Sequence, residues 1–122
     1  MAKEIVSVFL KVDPKYRVFE NELAFCLYDI HPISPGRILV IPKRQFSSMF
    51  DCRDDEWLAI FELIKKAKQL VTEKHKPDGF NLGVNVGPVA GQTVMHAHVH
   101  LIPRYKDKSL EDSEHVRNLM SP

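Results

Sequence analysis

Asp54–His75, DDEWLAIFELIKKAKQLVTEKH, is the stretch on which the fold turns. Trp57, Ile60, Phe61, Ile64, Ala67 and Val71 recur at three- and four-residue spacing, which predicts one apolar stripe along a helix of about twenty residues. Asp54, Asp55 and Glu56 sit at its start and Lys74, His75 and Lys76 at its end, the arrangement that complements the helix dipole. Pro77 and Gly79 end it. A helix with this stripe reads as a brace laid over a sheet rather than as a partner-binding element.

The segments on either side supply the sheet. Upstream, Glu22 to Ile30 (ELAFCLYDI) and Arg37 to Ile41 (RILVI) flank the turn-rich His31-Pro32-Ile33-Ser34-Pro35-Gly36, which predicts an antiparallel pair. Pro42 stops the second strand because it lacks the amide hydrogen a ladder needs. Downstream, Phe80 to Val86 (FNLGVNV) and Met95 to Pro103 (MHAHVHLIP) read as two more strands joined by a Gly- and Pro-containing loop. The expected class is α+β, an antiparallel sheet of about five strands with one long helix packed on a face. Residues 1–105 form a single domain in this reading, and 106–122 a polar tail.

The whole chain of 122 residues is short for two domains, and its 44% hydrophobic and 27% charged content excludes wholesale disorder and a coiled-coil rod. Seventeen basic against sixteen acidic residues leave a charge of +1, so no global field draws the protein onto nucleic acid or an anionic membrane. Any anion must be gripped locally. Cys26 and Cys52 form no CxxC pair and are expected to be reduced thiols, which together with an apolar start broken by Ser7 and Lys11 points to a cytoplasmic protein, neither secreted nor membrane-spanning.

Three of the six histidines fall within five residues, His96, His98 and His100, alternating with Ala97 and Val99. On an extended segment the three imidazoles project from one face and Ala97 and Val99 from the other. Three readings are open: satisfied histidines without a role, a metal site, or nucleophilic catalysis at phosphorus. For the metal, a rise of about 3.3 Å per residue sets His96 and His100 too far apart to converge easily on one ion. Nucleophilic attack by a neutral imidazole is favoured by the preceding loop, where Asn85, Gly87, Gly91, Gln92 and Thr93 offer amides, a hydroxyl and close backbone approach to an anion.

The segment Gly91-Gln92-Thr93-Val94-Met95-His96-Ala97-His98-Val99-His100-Leu101-Ile102-Pro103-Arg104 resembles the signature of the histidine triad family, in particular its bacterial hydrolase-like and fragile-histidine branches. Asp29 to Arg44 (DIHPISPGRILVIPKR) resembles the family's other nucleotide-binding segment. The resemblance implies a homodimer with a sheet continuous across both subunits, and a two-step mechanism without a cofactor. His98 would attack the α-phosphorus of a nucleotide, giving a nucleotidyl-histidine that water hydrolyses, while His96 and His100 orient and polarise the ring. Gln92 and Thr93, beside Gly91, would hold phosphate or leaving-group oxygens, and Asn85 would contact the α-phosphate. Asp29 would accept the ribose hydroxyls, and Leu27, Ile30 and Leu39 would wall the base pocket.

The chain departs from the family pattern at three places. Pro35-Gly36-Arg37 stands where most relatives have Pro-Gly-His, and an arginine neutralises a phosphate but is no acid or base. Ser7, Leu10 and Gln45 occupy the positions of ligands in zinc-bearing relatives, so no structural zinc is expected. The tail lacks the Gly- and Arg-containing ending of bacterial relatives. The expected activity is hydrolysis or transfer at the α-phosphate of dinucleoside polyphosphates, AMP conjugates or nucleoside phosphoramidates. The alternative is a purine-nucleotide-binding interaction module with little catalysis.

Overall fold

In the computed structural model, residues 5–29 and 35–106 are described. The long helix, α2, spans Asp54–His75, as the sequence indicates. It opens with the Arg53 amide donating to Glu56 Oε1 at 2.8 Å, which satisfies the amide at the helix entry. It ends with Lys76 in the left-handed region at φ 48°, after which Pro77 cannot resume the helix.

Its buried face differs from the expected stripe by a rotation. Ile60, Leu63, Ala67 and Val71 are buried, whereas Trp57 and Phe61 are 42% and 58% exposed and Ile64 is half-buried. The cause is Glu56, which occupies an inward position because Arg44 grips both its oxygens, Nη2 to Oε1 at 2.8 Å and Nε to Oε2 at 3.0 Å. A hydrophobicity count passes over a carboxylate that turns inward with a partner. Leu63→Ala is therefore expected to cost about 3 kcal/mol, and Phe61→Ala at dilution about 0.5 kcal/mol. Urea unfolding of both variants measures this; equal losses would contradict the observed rotation.

Among the described residues the sheet has four antiparallel strands in the order β1 (Ala24–Tyr28), β2 (Ile38–Pro42), β4 (Val99–Arg104), β3 (Gly79–Gly83). About five were expected. The nearest to a fifth is the segment before β1, where the Val18 amide donates to Cys26 O and the Cys26 amide to Phe19 O, but this run forms only an isolated Glu20–Phe25 bridge. Pro42 closes β2, paired with Ala24.

β4 starts four residues later than expected, since His96, Ala97 and His98 lie outside the ladder. In the β2–β4 register, where Val40 faces Val99, Ala97 would face Pro42, which has no hydrogen to donate. The Ala97 amide bonds Phe46 O at 2.7 Å instead. β3 likewise ends at Gly83, short of the expected Val86.

Alternation divides the sheet between two cores. Ala24, Cys26, Ile38, Val40, Ala97, Val99 and Leu101 face α2. Phe25, Leu27, Leu39 and Ile41 face the other way and are covered by Phe9 from a short helix, α1 (Val8–Lys11). The histidines lie on this second side. No helix among the described residues is long and apolar enough to cross a membrane.

Candidate active site

The second face carries the chemistry. The His98 ring meets His100 at 4.8 Å between centroids and Phe9 at 5.1 Å, and Phe9 also meets His96 at 5.7 Å, so the three imidazoles form one row. Gly83 faces His100 from β3, so no side chain crowds the imidazole from that strand. Gly36, at φ +88°, holds the turn before β2 against α2, where an added Cβ would come 2.8 Å from the His75 ring. That close approach sets Arg37 beneath the row.

Hydrogen-bond partners fix the tautomers. His98 Nδ1 lies 2.7 Å from the His96 carbonyl, which can only accept, so Nδ1 carries the hydrogen and Nε2 the lone pair. His96 Nε2 lies 2.7 Å from the Pro42 carbonyl and likewise carries a hydrogen. His100 is reversed: its Nδ1 accepts from Arg37 Nη2 at 2.8 Å, which leaves the hydrogen on Nε2.

Burial favours the neutral forms. Desolvation lowers the pKa of His98, with Arg37 assisting and the His96 carbonyl and Asp29 opposing. Desolvation also lowers that of His96, and brings His100 down to about 3 with help from His98 and Arg37. A neutral row with one outward lone pair is suited to nucleophilic attack.

A cavity of about 350 Å³ opens beside the row. Val8, Phe9, Val12, Leu27, Leu39 and Val94 form its apolar part; Tyr28, Asp29, Thr93, His98 and His100 complete the lining. That volume and that mixture of surfaces suit a small ligand with one flat apolar end and one polar end.

Of the residues singled out from sequence, Leu27, Asp29, Leu39, Thr93, His98 and His100 meet on this cavity. His96 packs behind it, fully buried. Arg37 is buried beneath, with Nε 3.2 Å from Asp29 Oδ2. Ile30 lies outside the described residues. Asn85, Gly91 and Gln92 are not on the wall: Asn85 donates to Gly91 O, and Gln92 donates to Ser47 O and Val94 O and accepts from the Gly87 amide. The amides of Ala90, Gly91 and Gln92 bond inside the loop as well. These groups shape the loop that presents Thr93, rather than forming an open anion cradle.

Sequence reading missed Val8, Phe9 and Val12. Val8 and Phe9 lie on α1 and Val12 caps it, a helix of four residues too short for apolar periodicity to reveal. The Ser7 amide donates to Gln45 Oε1 at 2.9 Å, tying the start of the chain to the segment after β2. Among the described residues no cluster of three or more His, Cys, Asp or Glu is placed to hold a metal.

Comparison with known proteins agrees with this geometry. The chain is 34% identical over 100 residues to a bis(5'-adenosyl)-triphosphatase of Dictyostelium discoideum, covering 82% of this chain and 66% of that protein. It is 31% identical over 114 residues to the Arabidopsis thaliana protein named adenylylsulfatase HINT3, covering 90% of this chain and 58% of that one. The crystal structure of a HIT family protein from Bacillus anthracis superposes with a TM-score of 0.75 at 36% identity, covering 81% of this chain and 73% of that one. The HIT domain model matches residues 6–107. With its histidine row intact and its fold shared, the chain belongs to the histidine triad (HIT) family.

Proposed function

We propose that the protein is a nucleotide hydrolase or transferase in which His98 Nε2 attacks the α-phosphorus of a bound nucleotide and water then releases the nucleotidyl group. The observation that carries this reading is the opposed pair of tautomers on the cavity. His98 holds a lone pair on Nε2, and its neighbour His100 holds a hydrogen on Nε2 that can steady the departing group. As the phosphorus bonds to Nε2 the ring gains positive charge, which Nδ1–H shares with the His96 carbonyl.

Asp29 accepts the ribose hydroxyls in this reading, and Leu27 and Leu39 flank the purine. Thr93 contacts the phosphate, with Gln92, Asn85 and Gly91 supporting its loop. Arg37 supplies fixed positive charge below. No cofactor takes part. Relatives bearing the names triphosphatase and adenylylsulfatase make adenosine-bearing substrates the first to test: dinucleoside polyphosphates, AMP conjugates and phosphoramidates. The outer edge of β3 and the exposed Leu58 and Phe61 on α2 support a homodimer. The two free thiols fit a reducing, cytoplasmic setting.

The test is intact-mass analysis within seconds of mixing the protein with diadenosine triphosphate or adenosine 5'-phosphoramidate. An added AMP mapping to His98 is expected. Saturable nucleotide binding with neither adduct nor turnover would instead leave a purine-nucleotide-binding module.

A further inference from the structure

We infer that Arg37 confines this site to leaving groups that depart as stable anions, so that it cleaves nucleotide anhydrides in preference to nucleotide amides. The inference rests on the nucleotidyl-transfer reading above and narrows its substrate class. Arg37 is 1% exposed, with Nη2 2.8 Å from His100 Nδ1 and Nε 3.2 Å from Asp29 Oδ2. A guanidinium has only donors. While it points at Nδ1, His100 cannot take a second proton there, because two hydrogens would then face each other across 2.8 Å. His100 is held to a single hydrogen, on Nε2.

The consequence falls on the first step. The His98 Nε2 lone pair forms a bond to phosphorus, and the bond from phosphorus to the leaving atom breaks with its electron pair going to that atom. A phosphate, sulfate or carboxylate oxygen holds this pair as a stable anion, and a hydrogen bond from His100 Nε2 is sufficient. An amine nitrogen needs a proton as it departs. His100 could give only its last hydrogen and would become an anion, which a neutral imidazole resists in water or in a protein. The Thr93 hydroxyl on the cavity wall can pass a proton on but must itself be resupplied. In the second step a water oxygen bonds to phosphorus, the P–N pair returns to Nε2, and the water's proton goes to solvent. The products are a nucleoside monophosphate and the leaving anion.

Arg37 is thus a positioning residue, and leaving-group sensitivity distinguishes that role from a merely structural one. With the full chain, kcat/KM is measured for diadenosine triphosphate, for adenosine 5'-phosphoramidate, and for a series of aryl esters of AMP with phenols of graded acidity. The wild type is expected to favour the anhydride by about 100-fold or more, the usual contribution of a general acid. Its ester rates should fall steeply as the phenol becomes more basic.

Arg37→His places an imidazole that can accept from His100 Nδ1, and is expected to raise the amide-to-anhydride ratio about 10-fold and flatten the ester series. Arg37→Lys, again only a donor, should keep the wild-type ratio. Amide turnover within about threefold of the anhydride in the wild type, or an unchanged ratio in folded Arg37→His, would overturn the inference. If Arg37→His does not fold, the wild-type ratio and ester series decide alone. Absence of both turnover and a His98 adduct defeats the nucleotidyl-transfer reading itself, whereas turnover with equal tolerance of amide and anhydride defeats only the role of Arg37.

Discussion

His98→Ala is expected to lower kcat by about 10⁴-fold or more while nucleotide affinity changes by no more than a few-fold. No neighbour can substitute for the lost nucleophile. His96 is fully buried behind the cavity, and the His100 nitrogen left without a protein partner carries a hydrogen rather than a lone pair. Leu27 and Leu39 on the β1–β2 pair, and Asp29 just after β1 with its amide on Arg37 O, remain in place to hold a ligand. Rapid-quench turnover together with calorimetric titration of AMP separates the two quantities. Turnover within about tenfold of wild type in the variant would show that the phosphorus is attacked by something else.

The second large effect is acid lability. All three triad imidazoles have pKa values below the ordinary 6.5 in the folded protein, chiefly through desolvation, and His100 reaches about 3. The unfolded chain therefore binds more protons than the folded one below about pH 6.5, and stability falls as pH falls. Each such histidine contributes a slope of up to about 1.4 kcal/mol per pH unit between its folded and its unfolded pKa. For His100 the decline continues until about pH 3.

Glu20 and Glu56, whose pKa values are lowered below 4.5 by Lys43 and Arg44 respectively, act in the same direction but only in more acid solution. Urea midpoints between pH 7.5 and 5 isolate the histidines. His98→Ala should reduce the proton uptake on unfolding and so make the profile shallower. A flat profile over this range would mean that the imidazoles are charged in the fold, and would remove the neutral nucleophile with them.

Where local pattern and tertiary demand coincide, the sequence is a sound guide. α2 is legible from end to end because its capping acids, terminal cations and Pro77 act within a few residues of one another. The histidine row is legible because alternation in an extended segment needs no knowledge of the neighbours, and Ala97 and Val99 do take the opposite face. The rotation of α2 was not legible, since Glu56 turns inward only when Arg44, twelve positions earlier, arrives beside it.

By itself, then, the sequence determined the α+β class, the long helix, the strand pairing around it and the set of three imidazoles that share a face. Only the tertiary structure decided which nitrogen of each ring is free, because that depends on whether a carbonyl or a guanidinium from another element stands opposite. It alone also brought Phe9 over the row and turned the Gln92 amide to the Ser47 carbonyl. Hydrogen bonds and ring contacts between residues distant in the chain are set by where the backbone brings them, and composition and periodicity carry no record of that distance.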